Sequence, residues 1–256
     1  MSIGDAEIKT QERVIRFFKD PEILGYQYIG NLSDYQNKNI KEDRLRQYLR
    51  LKGYADKLID AAVMQLQQEA GNLSRGVYDA NKTVYSRLKY GIPVSESPEK
   101  PPVTVELIDE ANPLNNDFAI AEEVTVVEQQ EKRPDLVIYL NGIAVAVIEL
   151  KRSSISVAEG IRQNLTNQKD SFIRGFFTTM QFCMAGNESE GLRYGTLLTG
   201  EKFYMEWKDD GFKEHEEERD PADVRISKTC EGIENKLLKQ IYACLLYTSD
   251  AADDKA

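Results

Sequence analysis

Histidine is almost missing from this chain: a single one, His215, stands among 256 residues, and it sits inside a charged run. Imidazole acid–base chemistry and a histidine-rich metal site are excluded by lack of supply. Cysteine is scarce as well. Cys183, Cys230 and Cys244 show no C-x-x-C spacing, which excludes a thiolate zinc site and a disulfide framework. No apolar run approaches the roughly 18 residues that a membrane-spanning helix requires, and the opening MSIGDAEIKTQERV has no apolar signal core. The expectation is a cytoplasmic protein that makes no membrane contact. No G-x-x-x-x-G-K-[ST] phosphate loop occurs; the stretch Gly186–Gly191 lacks the Lys-Ser/Thr pair that reaches phosphates. A basic surplus is missing too, with 33 Lys and Arg against 43 Asp and Glu and a net charge of −10. Phosphate binding draws on cations. Such acidity implies weak nucleic-acid affinity for the chain alone, unless Lys132, Arg133, Lys151, Arg152, Arg162, Lys169 and Arg174 form a local basic face.

The rest of the composition, 41% apolar and 30% charged, is that of an ordinary globular protein. One stretch stands apart: Arg133 to Lys151, RPDLVIYLNGIAVAVIELK. Two apolar runs, Leu136–Leu140 and Ile143–Ile148, flank Asn141-Gly142. Runs this rich in Val and Ile read as strands buried on both faces, and Asn-Gly tolerates the positive φ of a tight hairpin turn. Yet the hairpin ends in Asp135, Glu149 and Lys151, charge placed where it is costly. Alternation puts Glu149 and Lys151 on one face. A strict two-residue turn would set Asp135 opposite Ile148; one extra residue, in the turn or as a bulge, sets it opposite Glu149. Such an extra residue is therefore expected.

A chemical reason for the trio is metal-assisted phosphodiester hydrolysis. Two carboxylates and the Leu150 carbonyl make a hard oxygen set suited to Mg²⁺, and an adjacent ammonium can orient water or neutralise a developing anion. A structural ion-pair cluster at a sheet edge would carry the same residue types.

Around this hairpin the order of elements is mixed α/β with a central sheet. Helices are expected over residues 6–19 (with Ile8, Val14, Ile15 and Phe18 on one face), Lys41–Leu51, Ala55–Ala70 and Ser74–Tyr90. Leu58, Ile59, Ala62, Val63, Leu66 and Gln67 trace one face of the third, and Gly53 and Gly71 stand where C-terminal caps belong. Leu24–Ile29 reads as a loop or short strand. Gly91 to Pro102 reads as a turn-rich surface connection, and Val103–Ile108 and Asp117–Val127 read as strands. Beyond Lys151 the period changes to that of a helix from Ser156 to Ile173, capped by Ser154 or Ser156. Strands follow at Thr179–Met184, Arg193–Leu198 and Lys202–Trp207, where Trp207 packs with Phe203 and Tyr204. Residues 209–225 read as solvated, and a helix begins within Ile226–Tyr242. From Cys244 the helical pattern is expected to break. Residues 244–256 resemble a translated sequencing adapter, which would make them a non-native tail.

Pro134-Asp135 followed by Glu149-Leu150-Lys151 matches the PD-(D/E)xK nuclease motif. RPDLVIYLNGIAVAVIELKRS, with EGIRQNLTNQKDSFIRGFF, MAGNESEGLRYGTL and EKFYMEWK, closely resembles the restriction (R) subunit of type I restriction–modification enzymes. The resemblance runs over about residues 1–243 and is densest from Glu131 to Lys208. It implies a restriction-endonuclease-like sheet flanked by helices, with a helical portion over 1–95 and the nuclease core over 96–208. Residues 209–243 would then lead to an absent ATP-driven motor. It implies Mg²⁺-dependent cleavage of double-stranded DNA, with methyltransferase and specificity subunits as partners and ATP bound only by the motor. Asp135, Glu149 and the Leu150 carbonyl would hold Mg²⁺, and Lys151 would position the attacking water. Glu12 resembles the helix carboxylate that often approaches the metal, although a solvated helix Glu is the commoner reading. Gln163 corresponds to the Gln of a Q-x-x-x-Y element in which Asn167 replaces Tyr; it would contact DNA or Lys151, or else be a solvated helix residue. Arg133 and Arg152 would contact phosphates, or simply line the sheet rim. Two other readings remain at this point: a stand-alone nuclease of the same fold, and a non-catalytic docking module.

Overall fold

The computed structural model describes residues 3–97, 99–206 and 233–250. Trp207, His215, Cys230 and the charged run 209–225 lie outside the described residues. The centre is a seven-stranded mixed sheet in the order β1 (Gln27–Asn31), β4 (Phe118–Glu122), β7 (Leu136–Leu140), β8 (Ile143–Leu150), β9 (Phe182–Asn187), β10 (Gly191–Gly195) and β11 (Met205–Glu206). β1–β4 and β8–β9 pair parallel, the other neighbours antiparallel. The expected mixed α/β architecture with a central sheet and flanking helices is what the chain adopts.

Burial follows from alternation in β7 and β8, whose residues are almost all buried. One face, with Leu136, Ile138, Ala146, Ile148 and Leu150, packs against Val14, Ile15, Phe17 and Phe18 of α1 (Ile3–Lys19) and Leu237, Leu238 and Ile241 of α6 (Lys236–Asp250). The other face, with Val137, Tyr139, Ala144 and Val147, packs against Ile173, Phe176 and Phe177 and against Val77, the first residue of α4 (Val77–Tyr90). α2 (Glu42–Leu51), α3 (Asp56–Gly71) and α4 form the helical block, whose core includes Leu45, Leu49, Ile59, Val63 and Leu66. It is joined to the sheet through Ile143. Asn141 and Gly142 take positive φ, +52° and +82°. A Cβ at Gly142 would lie 2.6 Å from the Lys41 carbonyl and 2.8 Å from the Leu45 nitrogen, so only glycine lets α2 close on the turn.

Several expectations are corrected. Ile8 is exposed on α1, and Gln67 is exposed on α3. Ile92–Val94 is not part of a plain connection but β2, paired with β3 (Val103–Val105); a two-stranded ribbon is nearly all edge and tolerates Pro93. A second short pair, β5 (Val126–Val127) and β6 (Glu131–Lys132), continues beyond β4. The helix expected to run to Ile173 is α5, Val157–Asn167, capped by the Ser156 hydroxyl. It stops because Gln168 turns inward, where its side chain accepts the Leu198 N–H and contacts Cys183. The 3-10 segment Arg174–Thr179 then keeps the apolar spacing going by burying Phe176 and Phe177. Finally, the backbone does not break at Cys244: α6 is helical to Asp250, and Cys244 is buried in line with Leu237 and Ile241, at i, i+4 and i+7.

Candidate active site

β7 and β8 form a strict two-residue hairpin, with Leu140 opposite Ile143 and Tyr139 opposite Ala144; then Ile138 faces Ala146 and Val145 is left over. This is the expected extra residue, located in the strand rather than in the turn. The Val145 carbonyl is taken up by the Gln181 N–H at 2.7 Å, just ahead of β9. From Ile138 onward the shifted register sets Leu136 opposite Ile148, so Asp135 comes to face Glu149.

At the strand end the backbone of Pro134 and Asp135 bonds elsewhere. The Asp135 carbonyl accepts the Glu123 N–H at 2.8 Å, and the Pro134 carbonyl accepts that of Val124 at 3.0 Å. Instead of a backbone carbonyl, Leu150 N–H finds the Asp135 side chain and donates to Oδ2 at 2.7 Å. Glu149 lies behind it, 0% exposed, and neither of its carboxylate oxygens has a hydrogen-bond partner. α5 covers it closely: a Cβ on Gly160 would stand 3.4 Å from the Glu149 Cβ and 3.0 Å from that of Ala185. Lys151 reaches back, its Nζ 3.0 Å from the Leu150 carbonyl and 3.4 Å from Glu7 Oε1 of α1.

The electrostatics follow from this burial. Asp135 is lifted from its ordinary 3.8 to about 6, chiefly by loss of water; Lys151 and the Leu150 N–H pull the other way, while Glu123 and Glu7 add to the rise. The Glu149 carboxyl is raised well above the carboxylate range, first by burial and then by the negative charge of Asp135, which Lys151 offsets only in part. As two carboxylates the pair has no hydrogen to share. A proton on one would let it donate to the other, and that shared proton adds to the rise.

Orphaned carboxylate oxygens in a dry pocket are chemically incomplete; a cation or a proton must complete them. Among the described residues no group of three or more His, Cys, Asp or Glu forms a metal cluster. The donor set is two carboxylates and a peptide carbonyl. That set fits a small hard cation that keeps most of its own waters, as Mg²⁺ does.

The other residues singled out in the sequence fall into place unequally. Glu12 is exposed and is not gathered into the site. It lies five residues from Glu7, about 140° around the helix, so when the Glu7 face meets the sheet Glu12 meets solvent. Gln163 is half-buried on α5, one turn beyond Gly160. Arg133 is held by Glu123 at 2.7 Å, and Arg152 is half-buried just past β8. The expected basic face is neutralised in part: besides Arg133 and Lys151, Arg162 pairs with Glu159 and Glu201, and Arg174 with Asp170, whereas Lys132, Arg152 and Lys169 form no ion pair among the described residues.

Glu7, Gln11 and Glu123 are the residues that sequence reasoning missed. Gln11 donates to Glu122 at 3.0 Å and to Glu123 at 3.2 Å, tying α1 to the end of β4. A signal for the first two existed, since Glu7 and Gln11 stand in line with buried Val14 and Phe18 at i, i+4, i+7 and i+11. Glu123, at φ +50°, gives no such signal.

The family model described as "Type I restriction enzyme R protein N terminus" matches residues 7–203. A protein of Methanocaldococcus jannaschii, named "Putative type I restriction enzyme MjaIXP endonuclease subunit", is 33% identical over 97 residues. The alignment covers 35% of this chain and 9% of that protein, so the chain spans only a small part of its relative's length.

Proposed function

Because the chain belongs to the family of type I restriction enzyme R-protein N-terminal regions, we propose that it carries the cleavage centre of such an enzyme, hydrolysing phosphodiester bonds of double-stranded DNA with Mg²⁺. The observation that carries this reading is the buried Glu149 carboxylate without a partner, facing Asp135 and flanked by Lys151. Asp135, Glu149 and the Leu150 carbonyl would hold the ion. When bound, Mg²⁺ supplies Lewis-acid stabilisation of the phosphate's growing charge and makes water a better nucleophile.

The chain's own residues do the rest. Leu150 N–H fixes the Asp135 carboxylate through Oδ2 at 2.7 Å. Lys151, which contacts Glu7 and reaches the Leu150 carbonyl where no ion takes it, would hold the attacking water or lend positive charge to the phosphate. Burial by α5 keeps bulk water off Glu149 and strengthens each of these interactions. In this reading sequence choice and methylation belong to separate specificity and methyltransferase subunits. ATP use belongs to motor segments of the parent enzyme, consistent with the lack of a phosphate loop in this chain.

The test is Mg²⁺-dependent nicking of plasmid DNA by the assembled complex, comparing wild type with Asp135→Ala and Lys151→Ala. Each variant is expected to lose cleavage by at least about a hundredfold while keeping ATP hydrolysis. Wild-type nicking by both would overturn the assignment of these residues.

A further inference from the structure

Beside the carboxylate site Arg133, Lys151, Arg162 and Arg174 have acidic partners; on the outer side of α4 the cations have none among the described residues. Tyr78, Lys82, Tyr85 and Lys89 follow one another at i, i+4, i+7 and i+11 and are all exposed. At about 100° per residue they fall within an arc of about 60°. Arg75, also exposed, stands two residues before the helix. Among the described residues no carboxylate forms an ion pair with Arg75, Lys82 or Lys89, although Arg87 of the same helix is paired with Glu69. Lys89 lies over the ring of Tyr90, 5.7 Å from its centroid. The opposite side of α4 is committed to the core through Val77, Ala80, Val84 and Leu88. Asn81 locks its rotation by donating to the carbonyls of Thr178 at 3.1 Å and Met180 at 2.8 Å. The outer stripe is therefore fixed in orientation without being needed for packing.

Alternating aromatic and cationic side chains on a rigid helix suit a polynucleotide. Phosphates take the lysines, and unstacked bases take the flat tyrosine rings. A protein partner is the poorer match, because protein interfaces favour tyrosine but are depleted in lysine. Bases inside a duplex have no free face to offer, so exposed tyrosines select a single strand. From Tyr78 to Lys89 the stripe runs about 17 Å, the length of roughly five stacked nucleotides.

We propose that the outer face of α4 is a track for single-stranded DNA, separate from the carboxylate site, which holds a strand unpaired by nicking or unwinding. The choice of DNA rests on the restriction-nuclease reading; the track shares no residue with that site.

The experiment is fluorescence anisotropy of the full 256-residue chain with a labelled single strand of about 15 nucleotides, and with the duplex of the same sequence. It is done in a chelator so that cleavage plays no part, over a series of salt concentrations. The single strand should bind more tightly than the duplex. Lys82→Ala with Lys89→Ala should flatten the salt slope by about 1.4, two phosphate contacts on a single strand. Tyr78→Ala with Tyr85→Ala should weaken binding by about tenfold or more at an unchanged slope. Asp135→Asn should bind like wild type, and thermal melting separates lost binding from lost folding. Equal or tighter binding of the duplex, no binding by wild type, or stripe variants matching wild type in both affinity and slope would each overturn the proposal. Cleavage is not read out, so failure here leaves the nuclease reading intact, and failure of the nicking test leaves this one intact.

Discussion

Glu149 is a buried carboxyl whose charged form the fold offsets only in part, through Lys151. Its oxygens lack partners and its nearest titratable neighbour is another carboxyl. Glu149→Gln removes that charge at nearly constant shape. In the absence of metal it is expected to raise stability by about 1–3 kcal/mol, a rise of several degrees in melting temperature, while reducing cleavage by at least about a hundredfold. Thermal melting in a chelator, together with the nicking assay, checks both halves. The pH dependence has a definite sign. The folded Asp135 carboxyl, at about 6 against an ordinary 3.8, binds more protons than the unfolded chain between those values. Metal-free stability therefore falls as pH rises from about 4 through about 6, and Glu149 extends the fall upward. Melting temperatures in a chelator are expected to be higher near pH 5 than near pH 7.5. Asp135→Asn should flatten the part of the profile between about 4 and 6.

Three elements meet at this residue pair, and each is a place where the site can be disturbed without touching a carboxylate. α5 presses on Glu149 at Gly160. Gly160→Ala adds helix propensity of about 1 kcal/mol but forces a shift of a few tenths of an ångström against Ala185 and Glu149. Stability is expected to stay within about 1 kcal/mol of wild type, while nicking falls. α1 brings Glu7, not Glu12, to Lys151. Glu7→Gln is expected to lower nicking by roughly tenfold to a hundredfold, as loss of an orienting partner does; Glu12→Gln should leave it unchanged, and equal effects in the two would contradict the stated rotation of α1. The hairpin itself was legible in the sequence, from its turn dipeptide to the need for one extra residue, because pattern and turn chemistry are local. The position of the extra residue was not. Val145 is chosen by the Gln181 N–H that takes its carbonyl, a partner distant in the chain. The same limit explains why β2, a three-residue strand centred on Pro93, read as a connection. It also explains why Glu12 rather than Glu7 was singled out as the α1 carboxylate near Lys151.

Across the whole molecule acidic residues outnumber cations, and many of the arginines among the described residues are held in ion pairs. The net charge is −10, and ion pairs on Arg133, Arg162 and Arg174 reduce the positive charge available at the carboxylate end to Lys132, Arg152 and Lys169. Arg75, Lys82 and Lys89, on and just before α4, form no ion pair among the described residues and mark the proposed single-strand track. Among the described residues no helix is long and apolar enough to cross a membrane. Duplex DNA should accordingly bind the isolated chain weakly and be presented to the site by other parts of the enzyme. The direct test of the central claim is a calorimetric titration of the 256-residue chain with Mn²⁺, a stand-in for Mg²⁺, near pH 6 in buffers of differing ionisation heat. Wild type is expected to bind the ion and release protons as it does so, because the carboxyl pair must ionise to receive it. Asp135→Asn and Glu149→Gln should each weaken binding by about tenfold or more and lose proton release. Titrations of both variants that superimpose on wild type would contradict the account.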